Sequence, residues 1–170
     1  MKKILLITIA VIGIGSIFLF FNNKAGTEST NISKKYVPDV SVKDLNGNDV
    51  KLNTLINGKL TLLLFWATSC PSCRQELAAI EKYFPKYKDK GLSIIAFSLD
   101  ENVNDVIKFI KANNLSIDIL MSNADLMSAY GGIKSIPVTF ILDNEGQIKN
   151  KIIGFNPKIE DEIKKYLDIK

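Results

Sequence analysis

The chain of 170 residues contains two cysteines, Cys70 and Cys73, with Pro71 and Ser72 between them. A thiolate attacks a disulfide, and a second thiol three residues away is close enough to resolve the mixed disulfide that forms. The sequence contains no histidine, which excludes Ser-His-Asp and Cys-His catalysis and zinc sites that need histidine. Two cysteines are also too few for a four-cysteine zinc site or an iron–sulfur cluster. The spacing therefore indicates thiol–disulfide exchange.

Two other roles for the cysteine pair remain open from the spacing alone. A structural disulfide would close a loop of about four residues and would stabilise the fold by only about 2 kcal/mol on the chain-entropy model, so the spacing suits a structural cross-link poorly. A two-coordinate Cu(I) site is compatible with two soft thiolates.

The elements around the pair predict how the cysteines are held. Leu60–Trp66 is a continuous apolar run, which is typical of a strand buried on both faces. A helix is predicted from about Pro71, with apolar residues at helical spacing from Leu77 onward. Cys70 then lies at the N-cap, and the following proline occupies the first helical position, which suits proline. Free backbone N–H groups and the helix dipole favour a thiolate there.

The rest of the domain alternates between strands and helices. Asn46-Gly47 is a strong turn signal, so the short strands predicted over Val40–Lys43 and Asp49–Leu52 would form a β-hairpin. Pro85 is expected to kink or break the helix that begins near Pro71. The further predicted strands are 92–99, 117–121, 138–142 and 147–153, and the further predicted helices are 103–112, 124–130 and 158–167. This order predicts an α/β fold with a mixed central sheet flanked by helices and an added N-terminal β-hairpin.

The net charge of +4 is concentrated at the N-terminus. Residues 1–36 contain five lysines against one glutamate, a net charge of +4, so residues 37–170 are neutral overall. A neutral domain has no excess of positive charge for phosphate binding, which argues against a nucleic-acid partner.

An apolar run over Ile4–Phe21 follows Lys2 and Lys3. As a helix rising about 1.5 Å per residue it would be about 27 Å long, close to the hydrocarbon thickness of a bilayer. This length favours an uncleaved transmembrane anchor over a cleaved signal peptide, and the two lysines favour a cytoplasmic N-terminus. We therefore predict a membrane anchor or signal segment over 1–21, a polar linker over 22–36 and a folded domain over 37–170. The domain is expected outside the cytoplasm, on a single-pass cell-membrane protein, where a disulfide persists.

A second motif strengthens the interpretation of the cysteines. Pro137 opens the predicted strand 138–142; it is either an ordinary trans-proline at a strand start or a cis-proline beside the cysteines. Together with FWATSCPSC at 65–73, GIKSIPVTFILDNEG at 132–146 and Gly154, this order of elements resembles the thioredoxin superfamily. More closely, residues 37–170 are similar to its membrane-anchored TlpA/ResA/DsbE-like branch of thiol–disulfide oxidoreductases.

The resemblance implies roles for individual residues. Cys70 would be the exposed nucleophile and Cys73 the buried resolving thiol, with no further cofactor. The client-facing surface would comprise Trp66, Pro71, Ser72, Ile136 and the cis-proline Pro137, although core packing is the alternative role of the tryptophan. Glu76 matches a carboxylate that ResA-like members place near the cysteines, and helical spacing puts it on the Cys73 side. A partly buried carboxylate there would exchange protons with the thiol; a solvated glutamate paired with lysine or arginine is the alternative.

The same resemblance implies a biological role. Many members of the branch are reductants in cytochrome c maturation, so the expected partners are protein thiol or disulfide clients, such as apocytochrome c, and a membrane thiol–disulfide electron donor. An oxidant or isomerase of secreted proteins and a Cu(I)-binding metallochaperone are the alternatives. Copper-binding relatives usually add a histidine ligand, which this chain lacks.

Three positions depart from the patterns of the superfamily. Ser69 stands where an aromatic residue usually precedes the first cysteine, which leaves Cys70 less shielded. Leu64 stands where thioredoxin has a buried aspartate, so Glu76 is the remaining candidate for proton transfer. Ala67 removes the Thr-x-x-Cys spacing of the peroxidases that share the fold.

Overall fold

The computed structural model describes residues 38–56 and 59–168. The predicted anchor over 1–21 and the predicted linker over 22–36 lie outside the described residues. None of the helices within the described ranges is both long enough and apolar enough to cross a bilayer.

The strands of the domain form a single mixed sheet. They are β1 (Ser41–Lys43), β2 (Asp49–Lys51), β3 (Leu60–Trp66), β4 (Leu92–Ser98), β5 (Asp118–Met121), β6 (Val138–Leu142) and β7 (Ile148–Ile153). Their order across the sheet is β2-β1-β5-β4-β3-β6-β7. β3, β4 and β5 are parallel, whereas β6 pairs antiparallel with both β3 and β7. β1 and β2 pair antiparallel, and β1 joins the sheet beside β5.

Helices pack on both faces of this sheet. They are α1 (Leu52–Leu55), α2 (Pro71–Tyr87), α3 (Val103–Asn113), α4 (Ala124–Ala129) and α5 (Ile159–Tyr166), and a 3₁₀ turn at Lys88–Lys90 follows α2. The mixed α/β architecture expected from the order of the elements is confirmed.

The core is divided in two by β3, whose seven residues are all buried. Because successive side chains of a strand point to opposite faces, Leu62 and Leu64 pack with buried residues of α2, α3 and α5. Leu63 and Phe65 pack on the other face, with Leu126 of α4 and other buried residues. β3 is thus held by neighbours on every side, and its end is a rigid base for the segment that follows.

Two local predictions need correction. Pro85 does not break α2, which continues to Tyr87; the proline lies in the last turn and is exposed, and the buried Tyr87 ties that turn to the core. The second strand of the N-terminal pair ends at Lys51, because Leu52 begins α1 and is completely buried.

Candidate active site

Cys70 and Cys73 form a disulfide at the junction between β3 and α2, with their Cα atoms 5.2 Å apart. Cys70 is the N-cap of α2, and its Sγ accepts a hydrogen bond from the backbone N–H of Cys73 at 3.2 Å. Cys70 is partly exposed, whereas Cys73 is fully buried. Only one sulfur of the pair is therefore open to a macromolecular partner.

The N-terminus of α2 can stabilise a negative charge on the Cys70 sulfur. Pro71 occupies the first helical position, and the N–H of Cys73 already points at the Cys70 sulfur. In the reduced protein the same N–H and the helix dipole would stabilise a thiolate on Cys70, because the N-terminus of a helix carries partial positive charge.

The Ile136–Pro137 peptide bond is cis, as the resemblance to the thioredoxin superfamily implies. The carbonyl oxygen of Ile136 lies 3.9 Å from the Cys70 sulfur, so this loop borders the disulfide directly. The carbonyl of Pro137 accepts a hydrogen bond from the N–H of Gly154 at 2.8 Å, which ties the loop to the end of β7. The antiparallel pairing of β6 with β3 brings these two motifs together.

Glu76 lies one helical turn after Cys73 and is fully buried. Its Oε2 accepts a hydrogen bond from the N–H of Asn156 at 2.8 Å, and its Oε1 accepts a weaker one from Thr139 Oγ1 at 3.5 Å. Burial raises the pKa of Glu76 above its ordinary value near 4.5, and these two hydrogen bonds offset part of the rise. The alternative of a solvated, ion-paired glutamate is wrong, because the side chain is buried and accepts its hydrogen bonds from uncharged donors.

The remaining predicted residues divide between the core and the surface. Trp66 is completely buried and packs against Phe109, with ring centroids 5.2 Å apart. Its burial favours the core-packing role over contact with a client. Pro71 is exposed and Ser72 is half-buried, with its Oγ 3.4 Å from the Cys70 sulfur. Ile136 is half-buried.

Two exposed apolar residues next to the cis-proline loop were not predicted from the sequence. Ile153 and Phe155 are 65% and 38% exposed, and they are the exposed large hydrophobic residues among those described. They flank Gly154, whose N–H bonds to Pro137. The signal in the sequence was the glycine alone, since nothing in the spacing of its neighbours distinguishes them from ordinary strand residues.

The charged side chains near the site do not form a recognisable metal centre. In the described part of the chain, no three His, Cys, Asp or Glu side chains are grouped as metal ligands would be. A copper site would therefore depend on Cys70 and Cys73 alone, both of which are engaged in the disulfide.

Comparisons with known proteins agree with this geometry. Residues 34–151 match the model of the AhpC/TSA family. Over 164 residues the chain is 32% identical to "Thiol-disulfide oxidoreductase ResA" of Bacillus anthracis, a match that covers 96% of this chain and 91% of the relative.

Solved structures show the same fold. A putative thiol:disulfide interchange protein DsbE from Chlorobium tepidum superposes with a TM-score of 0.71 at 28% identity, covering 79% of this chain and 96% of that one. StoA from Bacillus subtilis superposes with a TM-score of 0.61 at 28% identity, covering 76% and 98% of the two chains.

Proposed function

Because this chain belongs to the AhpC/TSA family of thioredoxin-like proteins and is a thiol–disulfide oxidoreductase, we propose that it reduces protein disulfides outside the cytoplasm. The observation that carries the proposal is the asymmetric pair. One sulfur is partly exposed at the N-terminus of α2, and the other is buried one helical turn before a buried carboxyl group.

The reaction uses the two cysteines in sequence. In the reduced protein the Cys70 thiolate attacks one sulfur of a client disulfide, forming a mixed disulfide and releasing the other client sulfur as a thiolate. Cys73 then loses its proton and attacks the Cys70 sulfur. This step forms the intramolecular disulfide seen in the structure and releases the second client thiol. Two electrons pass to the client, and a membrane dithiol donor, itself oxidised to a disulfide, then supplies two further electrons that reduce the Cys70–Cys73 pair again.

We assign Glu76 as the group that accepts the proton of the Cys73 thiol. Its carboxyl group is buried, and its raised pKa allows it to carry a proton closer to neutral pH than a solvated glutamate does. Thioredoxin's buried aspartate is absent, since Leu64 stands in its place, and the chain has no histidine to act instead.

The client would bind over the surface that surrounds Cys70. Ser72 and the carbonyl of Ile136 border the sulfur, and the exposed Pro71 lies beside them. The exposed Ile153 and Phe155 flank Gly154, which bonds to the cis-proline loop, and would add apolar area to this surface. Residues 37–170 have no net charge. We therefore expect contacts with an extended apolar segment of the client, rather than long-range charge attraction, to select it.

The charges around Cys70 and Cys73 support the proposal that the protein acts as a reductant. A strong oxidant of this class stabilises its reduced, thiolate form. Here the thiolate of Cys70 has the helix N-terminus but no histidine, and an ionised Glu76 would disfavour a second negative charge on Cys73. Both features favour a reductant.

The proposed cellular setting is supported by the sequence of residues 1–36, which has two lysines followed by an apolar run. We propose a single-pass anchor with the catalytic domain on the extracytoplasmic side, and apocytochrome c as one client whose cysteines must be kept reduced. Recovery of the chain in carbonate-washed membranes, with the domain open to protease from outside, is the expected result. A chain digested only after lysis would contradict this placement.

Two serine variants test the chemistry. Cys70→Ser should abolish reduction of a protein disulfide, because no exposed thiolate remains. Cys73→Ser should leave a stable mixed disulfide with the client, because the resolving step is lost. The matched control is Ser69→Ala, an exposed neighbour of Cys70 that no step uses. Full activity of Cys70→Ser, or release of the client by Cys73→Ser, would refute the proposal.

A further inference from the structure

Thr68 lies two residues before Cys70, and its three polar groups are all bonded to side chains from other elements. Its N–H donates to Asp100 Oδ2 at 2.9 Å, and its hydroxyl donates to Asp100 Oδ1 at 2.6 Å. Its carbonyl accepts a hydrogen bond from Arg74 Nε at 2.7 Å. The peptide groups on both sides of this residue are therefore fixed by contacts from outside the loop.

Asp100 is itself held in place. It follows the buried end of β4, where the hydroxyl of Ser98 donates to its Oδ2 at 2.7 Å and accepts from its backbone N–H at 3.1 Å. Ser98 is completely buried. The carboxylate therefore presents both oxygens to Thr68 from a rigid strand end.

Arg74 closes the arrangement from the helix side. It lies in the first turn of α2, and its backbone N–H donates to the carbonyl of Cys70 at 3.2 Å. Its guanidinium carbon lies 5.7 Å from the centre of the Phe109 ring, which holds the side chain against α3. The side chain is thus engaged with the loop and the helix rather than directed at the disulfide.

The loop over 67–70 packs on the core through small side chains. Ala67 is buried, Cys70 is half-buried against the core, and Ser69 is exposed. The N–H of Cys70 donates to the carbonyl of Ala67 at 3.1 Å, so the position of the cysteine depends on a turn that side-chain hydrogen bonds stabilise. Loss of those bonds would let the cysteine move relative to the N–H of Cys73.

We propose that Asp100 is a positioning residue that acts through Thr68 to hold the Cys70 sulfur against the N-terminus of α2. Two carboxyl groups then have separate roles at the cysteine pair. Glu76 handles the proton of Cys73, and Asp100 sets the geometry of Cys70. This inference rests on the proposed role of Cys70 as the nucleophile.

The test compares Thr68→Val with Thr68→Ser in the reduced full-length protein. Valine removes the hydroxyl donor without adding charge, whereas serine retains it. The rate of Cys70 alkylation by iodoacetamide is followed against pH, with the modified residue identified by mass spectrometry. The pH at which Cys70 reaches half of its maximal alkylation rate should rise by about half a pH unit in Thr68→Val, because the thiolate is less well aligned with the helix N-terminus. It should return to the wild-type value in Thr68→Ser.

Exchange kinetics provide the second readout. Thr68→Val should slow reduction of a protein disulfide roughly threefold or more, and Asp100→Asn should have a smaller effect in the Thr68→Val background than in the wild type, because residues that act as a unit are not additive. Thr54→Val is the matched control, since that hydroxyl lies in α1 and bonds to the carbonyl of Lys51 at 2.7 Å. The control should leave both readouts unchanged.

Three outcomes would overturn the inference. They are an unchanged pH midpoint in Thr68→Val, a slower rate without a shifted midpoint, and strictly additive effects of the two substitutions. Failure of the underlying assignment looks different, because alkylation of the wild-type protein would then map to Cys73.

Discussion

At the residue level, Glu76 is buried one helical turn after the resolving cysteine, so its ionisation affects both the stability of the fold and the proposed chemistry. The side chain is fully buried, and its burial raises its pKa above about 4.5. A buried acid with a raised pKa stabilises the fold most when it is protonated, so its contribution to stability is lost as the pH rises through the folded pKa. The same ionisation places a negative charge near Cys73.

Glu76→Gln should therefore have two effects. The Cys73 thiol should titrate at lower pH, because a neighbouring negative charge is gone, while the Cys70 thiol changes less. The free energy of unfolding should fall less steeply above about pH 4.5 than in the wild type. Thiol titration by alkylation and denaturant unfolding between about pH 4 and 8 measure the two effects.

Glu145→Gln is the control for this change, since Glu145 is exposed in the turn between β6 and β7. It should alter neither the thiol titration nor the slope of stability with pH. Identical Cys73 titration curves in Glu76→Gln and the wild type would remove the assigned role of Glu76.

At the level of elements, the strands and helices that were predicted correctly are those that a short stretch of sequence is enough to identify. β3 was predicted because seven consecutive residues are apolar enough to be buried on both faces. The start of α2 was predicted because a proline at the first helical position follows a capping residue. The continuation of α2 through Pro85 was missed, because it depends on the packing of Tyr87 in the core, which a local rule does not include.

The end of β7 is the element whose conformation links the fold to the site. Gly154 has φ of +85°, and its N–H bonds to the carbonyl of Pro137. Gly91 has φ of +97° in the connection between α2 and β4. Apart from the chain neighbours, no atom lies within 4 Å of a Cβ built at either glycine. Alanine at either position therefore adds the same kind of backbone strain, of about 1–2 kcal/mol.

Gly154→Ala and Gly91→Ala should each lower the free energy of unfolding by about 1–2 kcal/mol. Only Gly154→Ala should also slow disulfide exchange, because Gly154 bonds to the Ile136–Pro137 loop and that loop borders Cys70. Denaturant unfolding and exchange kinetics on the two variants separate these effects. Equal loss of activity in both variants would mean that Gly154 affects the reaction only through stability.

At the level of the whole molecule, the site is assembled from distant parts of the chain. The cysteines, Glu76 and Pro137 were identified from the sequence because each belongs to a motif that resembles a known family. Asp100 and the apolar pair Ile153 and Phe155 were not identified. Asp100 contacts a residue 32 positions away, and Asn156 contacts Glu76 from 80 positions away. No local spacing encodes such pairings, since they follow from the order of strands in the sheet.

The division of charge is also a property of the whole chain. The excess of positive charge lies in residues 1–36, and the domain that carries the disulfide is neutral. Attraction of a charged client is therefore not expected to contribute much to binding.

The reduction potential of the Cys70–Cys73 pair in the full-length chain tests the proposed reductant most directly. The protein would be equilibrated with dithiol–disulfide buffers, and its thiol fraction would be measured by alkylation. We expect a value near that of thioredoxin, about −270 mV, since the chain has no histidine to add to the stabilisation that the helix N-terminus gives the thiolate. A value near that of DsbA, about −120 mV, would identify an oxidant and contradict the proposal.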